Sequence, residues 1–182
     1  MSEQNKTRKN AQLIFMVLAF LIPVVAAKIL LASNYKGEVK TYGGELLNTD
    51  LTYQELVEAP SQTRDWQLMY VTNQACDKNC QDQLYYVTQT YRALGRLQSR
   101  VRVGSLSMTS LSTPPEFLSG IDFSQQTLKN AASDFEDNVL IIDPLGKLVM
   151  RYQLSGSKQQ RLKKSHDMLL DIKRLLKLSR IG

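Results

Sequence analysis

The chain has 182 residues, of which 43% are hydrophobic, and this suffices for one ordinary domain with an appendage but not for two full domains. Its formal net charge of +6 is distributed unevenly, with +3 in residues 1–32, −3 in residues 33–156 and +6 in residues 157–182. Because the excess of basic groups is confined to the two ends of a mildly acidic body, we expect no nucleic-acid partner.

The first 32 residues have the pattern of a membrane anchor. Residues 1–10 are polar and contain three basic groups, and residues 11–27 carry no charge. With the apolar residues that follow Lys28, the segment 11–32 has 22 residues. A helix of that length measures about 33 Å, which matches a hydrocarbon core of about 30 Å. The sequence therefore predicts one transmembrane helix at residues 11–32, with residues 1–10 in the cytoplasm and the remainder across the membrane.

A cleaved signal peptide is the alternative interpretation, because Val25, Ala26 and Ala27 are small residues near the end of the apolar run. The run is longer than a signal core of about 7–15 residues. Four more apolar residues follow Lys28, which favours a retained anchor. Either interpretation puts the two cysteines of the chain in an oxidising compartment, where a disulfide persists.

The rest of the chain is expected to comprise a connector and a folded domain. Residues 33–60 are predicted to be the connector, because they contain turn residues such as the Gly43-Gly44 pair and end at Pro60. This connector can hold a short strand or an edge hairpin. Residues 61–182 are predicted to form the domain.

The cysteines lie at the junction between a predicted strand and a predicted helix. The residues from Trp66 to Asn73 are mostly apolar, which is typical of a largely buried strand. Cys76 and Cys80, the only cysteines, follow that strand directly. Apolar residues then recur at helical spacing up to Gly95, which predicts a helix after the pair.

Residues 101–132 contain a second predicted strand and an irregular segment. Alternating apolar residues predict the strand at 101–108. The sequence Thr113-Pro114-Pro115 predicts a loop, and residues 117–132 are expected to hold one or two short helices.

The last third of the domain is predicted to be a hairpin and a closing helix. Residues 138–142 and 147–153 are the strands of the hairpin, joined by an Asp-Pro-Leu-Gly turn. An apolar stripe from Leu162 to Leu176 predicts the helix, whose basic face is expected to be solvated or to contact anionic lipid headgroups or an acidic partner. The order strand, cysteine pair, helix, strand, helix, hairpin, helix predicts an α/β, thioredoxin-like fold.

Several motifs between residues 34 and 152 together resemble a known family. They are the strand from Trp66 to Tyr70, Cys76-x-x-x-Cys80 with Leu84 and Tyr85, Ala93-Leu94-Gly95-Arg96, Arg100-Val-Arg-Val and Ile142-Asp-Pro-Leu-Gly-Lys. The chain is similar to membrane-anchored, thioredoxin-like proteins related to the Sco/SenC copper chaperones. It resembles more closely the small single-span proteins associated with bacterial cytochrome c oxidase assembly. The resemblance implies a periplasmic domain at the bacterial inner membrane that assists the assembly of a respiratory oxidase.

Copper is one ligand that the resemblance implies for Cys76 and Cys80. Thiolates are soft ligands that select Cu(I), and two of them one helical turn apart can bind it from one face. Sco proteins add a histidine from the segment just before the hairpin, but residues 133–141 contain none. The only histidine, His166, lies in the predicted closing helix and is expected to be exposed to solvent or to face a groove, and not to be a metal ligand. We therefore expect either a two-coordinate Cu(I) dithiolate or a site that a partner completes.

Thiol–disulfide exchange is the second interpretation of the cysteine pair, and a purely structural disulfide is the third. A thiolate at a helix N-terminus suits exchange. Against exchange, the spacing is one residue longer than Cys-x-x-Cys, and no proline immediately precedes Asn138, where thioredoxin-like oxidoreductases carry a cis-proline.

Other enzyme classes find no support in the sequence, which shows no phosphate-binding loop, zinc-like ligand set or Ser/His/Asp constellation. Any enzymatic activity is therefore expected to be that of a thiol–disulfide oxidoreductase, with Cys76 and Cys80 as its residues. The alternative is a membrane-tethered, non-catalytic interaction module whose disulfide pins the first turn of the helix.

Overall fold

The computed structural model describes five stretches of the chain, namely residues 3–32, 40–60, 64–109, 115–130 and 133–179. Thr113 and Pro114, which belong to the predicted loop, lie outside these stretches. The chain divides into two compact units, Met1–Lys40 and Thr41–Gly182, and we describe each by itself.

The first unit contains the helix α1, which spans Glu3–Ala32 and includes Pro23. All the side chains from Ile14 to Ile29 are exposed. Within the described stretches, no helix combines the length and the apolar character that a membrane crossing requires. The transmembrane helix at residues 11–32 stays a prediction.

The second unit is built on a six-stranded sheet. Its strands are β1 (Glu45–Leu46), β2 (Trp66–Thr72), β3 (Val101–Ser107), β4 (Phe123–Thr127), β5 (Asn138–Ile142) and β6 (Leu148–Gln153). Their spatial order is β1-β6-β5-β2-β3-β4. Strands β2, β3 and β4 are parallel, whereas β5 pairs antiparallel with β2 and the hairpin partner β6 pairs antiparallel with β5 and β1. The predicted central strand, second strand and hairpin are confirmed.

Both faces of the sheet are covered, which explains why all seven residues of the central strand β2 are buried. Helices α3 (Lys78–Arg92) and α4 (Lys158–Leu178) pack on one face. The short helix α2 (Tyr53–Leu56) packs on the other face, together with Leu128 and Phe135. Alternate residues of a strand point to opposite faces, so β2 supplies side chains to both cores.

The two long helices begin at polar caps that the sequence supplies. The side chain of Asp77 accepts a hydrogen bond from the backbone N–H of Cys80 at 2.9 Å and so caps α3. Ser157 and Gln160 form a reciprocal capping box at the start of α4. Gly95, with φ of 59°, adopts the left-handed conformation just after the end of α3. The predicted helices after the cysteine pair and at the end of the chain are confirmed.

The helices expected within residues 117–132 are mostly wrong. Only one 3-10 turn, Glu116–Leu118, is present there in the described part of the segment, and it is followed by the strand β4. The sequence Phe-Ser-Gln-Gln-Thr of β4 is mostly polar, because this strand lies at the edge of the sheet and is partly exposed. The sequence of β4 has no apolar alternation that would predict a strand. Pairing with β3 determines its extended conformation.

The segment predicted as a connector contributes to the second unit from Thr41 onward. The expected short strand is confirmed as β1, where Glu45 lies opposite Arg151. The two side chains form a bidentate ion pair with N–O distances of 2.9 and 3.0 Å, and this hydrogen bonding lowers the pKa of Glu45. Tyr53 and Val57 are buried in the core.

A buried carboxylate binds the start of the second unit to α4. Asp171 is 3% exposed and accepts hydrogen bonds from the backbone N–H of Tyr42 at 3.0 and 3.1 Å. It also accepts longer ones, at 3.4 Å, from Gly43 and Gly44, and the hydroxyl of Tyr152 donates to it. A Cβ atom at Gly44 would lie 2.6 Å from the ring of Tyr152, so glycine is needed for this close approach.

Candidate functional site

The cysteine pair lies where the sequence predicts it, between the end of β2 and the start of α3. Cys76 and Cys80 form a disulfide, with their Cα atoms 5.1 Å apart. Cys76 comes just before the capping residue Asp77 and is partly exposed, whereas Cys80 is in the first turn of α3 and is 3% exposed. One sulfur is therefore accessible to a reaction partner and the other is enclosed.

The start of α3 gives the enclosed sulfur a favourable electrostatic position. Backbone N–H groups at a helix N-terminus carry partial positive charge, which stabilises a thiolate in the first turn. The carboxylate of Asp77 accepts a hydrogen bond from one of these N–H groups, that of Cys80, and adds a negative charge near the sulfur. The helix terminus and the acidic cap thus act in opposite directions on a thiolate.

Behind the disulfide is a crevice of about 10 Å³, which is the size of a single water molecule. Its lining residues are Thr72, Gln74, Cys76, Cys80, Leu84, Ser105, Ser107 and Thr109. No substrate side chain fits into so small a space. A reacting group must therefore approach Cys76 from outside.

The crevice owes its polar lining to a change of residue type along two neighbouring strands. On the face toward α3, strand β3 changes from Val103 to Ser105 and Ser107 as it nears the cysteines, and β2 changes from Leu68 to Thr72. The parallel strands β2 and β3 end at the same edge of the sheet, which is where α/β proteins place their sites. The sequence prediction missed these hydroxyls, although serine at alternate positions after valine is the signal that marks them.

An acidic segment lies on the opposite side of β2, just before β5. Asp137 has φ of 58°, its backbone N–H donates to the carbonyl of Val71 at 3.0 Å, and its carboxylate accepts from the hydroxyl of Tyr70 at 2.6 Å. Burial and this hydrogen bond raise the pKa of Tyr70 well above its usual value, with smaller contributions from the charges of Asp77 and Glu136. Asp137 thus occupies the position immediately before β5, where thioredoxin-like oxidoreductases carry a cis-proline.

The structure brings no further metal ligand to the two cysteines within its described residues. No group of three or more His, Cys, Asp and Glu side chains there could hold a metal ion. His166 is exposed on α4, as predicted, and does not line the crevice. After reduction, Cys76 and Cys80 would offer two sulfur ligands, which fits a two-coordinate Cu(I) ion and leaves any third ligand to a partner.

A larger pocket of about 450 Å³ lies near β1 and β6, and its lining does not include the cysteines. It is polar, and its basic groups are already bound within the protein. Arg151 pairs with Glu45, and Lys164 donates to the carbonyl of Gln153 at 2.7 Å. The cysteine pair therefore remains the better candidate for chemistry.

Comparison with known families identifies the domain. The family model described as a transmembrane-like, thioredoxin-like, C-terminal domain matches residues 66–179, which run from β2 through α4. The chain belongs to this family. The predicted α/β, thioredoxin-like fold is therefore confirmed, and the cysteine pair lies inside the matched domain. A search of curated proteins finds no match to the chain.

Solved structures with a similar fold include Sco proteins. The solution structure of apo Sco1 from Thermus thermophilus is 16% identical, with a TM-score of 0.50 over 76% of this chain and 99% of that one. Copper-bound yeast Sco1 is 14% identical, with a TM-score of 0.45 over 65% and 82%. The bacterioferritin comigratory protein of Xanthomonas campestris is 10% identical, with a TM-score of 0.42 over 63% and 82%. The likeness to the Thermus protein confirms the Sco-like resemblance at the level of the fold.

Proposed function

We propose that this thioredoxin-like protein is a membrane-anchored, periplasmic assembly factor for a respiratory oxidase, and that it acts by thiol–disulfide exchange at Cys76 and Cys80. The observation that carries the proposal is the disulfide itself, which joins a partly exposed sulfur to an enclosed one at a helix N-terminus. A structural bridge does not need this asymmetry. An exchanging pair does, because one sulfur receives the attack and the other leaves.

The asymmetry assigns a role to each cysteine. A thiolate of the client attacks Sγ of Cys76 and forms a mixed disulfide, and Sγ of Cys80 leaves with the electron pair of the broken bond. The leaving thiolate lies in the first turn of α3, where the helix terminus favours negative charge. A second client thiolate then displaces Cys76, so that the client is oxidised to a disulfide and the pair is reduced.

The choice of an oxidase as client is supported by the sequence resemblance to proteins associated with bacterial cytochrome c oxidase assembly. Membership of the thioredoxin-like family and the shared fold with a Sco protein agree with that choice. The decisive experiment replaces both cysteines, Cys76→Ser and Cys80→Ser, in cells that contain the oxidase. Loss of oxidase assembly, with normal amounts of the folded variant, is the expected result. His166→Ala, at an exposed position outside the crevice, is the control and should assemble the oxidase normally.

If the double serine variant supports full oxidase assembly, the exchange proposal is wrong. The protein is then better described as a membrane-tethered interaction module with a structural disulfide. Its contribution to assembly would be lost only on deletion of the whole chain.

The anchor is proposed from the sequence alone. The uncharged residues 11–27, preceded by three basic groups, support a single span at residues 11–32 with the N-terminus in the cytoplasm. A reporter that is active only in the periplasm, fused after Gly182, should be active. A reporter that is active only in the cytoplasm should be silent at the same site, and the reverse pattern would contradict both the topology and the oxidising environment assumed for the cysteines.

Copper handling is the second candidate function, with Cu(I) as cargo. It is favoured by the placement of the two sulfurs one helical turn apart at an accessible helix end, and yeast Sco1 is known in a copper-bound form. Anaerobic titration of the reduced protein with Cu(I) tests it. Binding of one equivalent that is lost in the Cys76→Ser/Cys80→Ser variant supports copper handling, and equal binding by both proteins contradicts it.

A further inference from the structure

The crevice behind the disulfide contains a buried hydroxyl that has no assigned role. Ser105 is 2% exposed, and its Oγ atom has no hydrogen-bond partner among the residues that the structure describes. It lines the same crevice as Cys76 and Cys80. Buried hydroxyls are nearly always hydrogen-bonded, and among the buried polar side-chain atoms without a partner in the described residues, that of Ser105 is the one that lies in the lining of the cysteine crevice.

Two neighbouring hydroxyls of the crevice, those of Ser107 and Thr72, are already bound. Ser107, two residues further along β3, donates to the carbonyl of Thr109 at 2.7 Å. The hydroxyl of Thr72 lies 3.3 Å from the backbone of Gln74. Ser105 thus differs from two hydroxyl groups in the same lining, and it is a donor enclosed beside the cysteine pair.

The available acceptor changes with the redox state of the pair. In the disulfide, the sulfur of Cys80 is uncharged and is a weak acceptor. When the disulfide is reduced by attack on Cys76, the same sulfur becomes a thiolate, which accepts a charge-assisted hydrogen bond. Cys80 is 3% exposed, and the crevice has room for about one water molecule, so bulk solvent does not reach this sulfur and a hydroxyl of the lining is a donor within the enclosed space.

We propose that Ser105 donates a hydrogen bond to Sγ of Cys80 in the reduced protein and thereby raises the reduction potential of the pair. The proposal rests on the thiol exchange proposed above. The reductant is a dithiol: its first thiolate forms a mixed disulfide with Cys76, its second thiolate releases Cys76, and two electrons pass from the dithiol to the pair. Ser105 takes no part in bond exchange and acts as a positioning residue that stabilises the leaving sulfur.

The test compares Ser105→Ala with Ser107→Ala in the full-length protein, purified in detergent. Each protein is equilibrated with buffers of reduced and oxidised dithiothreitol, and the fraction of free thiols is measured. Ser105→Ala should lower the equilibrium constant for reduction about tenfold, equivalent to about 30 mV for a two-electron couple. Ser107→Ala removes a hydroxyl that is already engaged and should leave the potential unchanged. Ser105→Thr keeps the hydroxyl and should restore most of the wild-type potential.

An unchanged potential in Ser105→Ala, or an equal fall in Ser107→Ala, overturns the proposal. Ser105→Val and Ser105→Thr have nearly the same shape without and with the hydroxyl, so this pair replaces the alanine variant if that one does not accumulate, and the valine variant should have the lower potential. A failure of the proposal for Ser105 can be distinguished from a failure of the proposed exchange function. Normal oxidase assembly in the double cysteine variant would refute the exchange function and leave the effect of Ser105 standing, whereas failed assembly with an unchanged potential would refute Ser105 alone.

Discussion

Removal of the carboxylate of Asp171 should destabilise the second unit strongly, because the carboxylate is buried and binds two elements at once. The variant Asp171→Ala leaves the N–H of Tyr42 and the buried hydroxyl of Tyr152 without their acceptor. Each hydrogen bond to a charged group is worth about 1.5–3 kcal/mol, and the longer contacts from Gly43 and Gly44 add little. We expect the free energy of unfolding to fall by about 3–5 kcal/mol.

The assay is guanidinium unfolding of the full-length protein in detergent, followed by the fluorescence of Trp66. This is the only tryptophan, and it lies in β2, so its signal reports on the second unit. Asp167→Ala is the matched control, because this carboxylate is one turn earlier on α4 and is partly exposed, and it acts on Tyr152 through its charge, whereas the hydroxyl of Tyr152 donates its hydrogen bond to Asp171. This variant should lower the free energy of unfolding by less than about 0.5 kcal/mol.

Tyr152→Phe removes only the hydrogen bond from Tyr152 to Asp171, and it should lower the free energy of unfolding by about 1–2 kcal/mol. In a double-mutant cycle with Asp171→Ala, the two losses should be less than additive, because both variants remove the same hydrogen bond. A cost of Asp171→Ala below about 1 kcal/mol, or one equal to that of Asp167→Ala, would refute the role assigned to the carboxylate.

Three further predictions concern the disulfide, the buried tyrosines and the close approach at Gly44. The Cys76→Ser/Cys80→Ser variant should stay folded and lose about 2 kcal/mol, because the bridge closes a very short loop; calorimetry that shows a noncooperative transition would contradict this. Absorbance titration should find Tyr70 and Tyr152 un-ionised until the protein unfolds. Their raised pKa values give stability that is present below about pH 10 and is lost as the pH rises, since only the unfolded tyrosines ionise there. Gly44→Ala should lower the melting temperature by several degrees, because its Cβ would lie 2.6 Å from the ring of Tyr152, and an unchanged value would show that the ring can move aside.

The sequence by itself determined the elements whose signals are local. Four of these elements were predicted correctly: the buried strand β2, the alternating strand β3, the turn between β5 and β6, and the amphipathic helix α4. The spacing of apolar residues and the residue types of a turn depend only on residues that are close in sequence. The same local order placed Cys76 and Cys80 between a strand and a helix. It also predicted that His166 is exposed or faces a groove, and the structure shows it exposed.

Only the tertiary structure decided the features that depend on partners distant in sequence. The polar strand β4 exists because the edge of β3 pairs with it, and its own sequence has little strand character. Asp171 and Tyr42 are 129 residues apart, so no window of sequence shows that a carboxylate in the last helix binds the start of the unit. The enclosure of Ser105 beside the cysteines likewise requires β3 to lie parallel to β2, which brings the ends of two strands to the start of one helix. Local periodicity determines which elements form, whereas burial and hydrogen bonding between distant segments determine which polar groups meet.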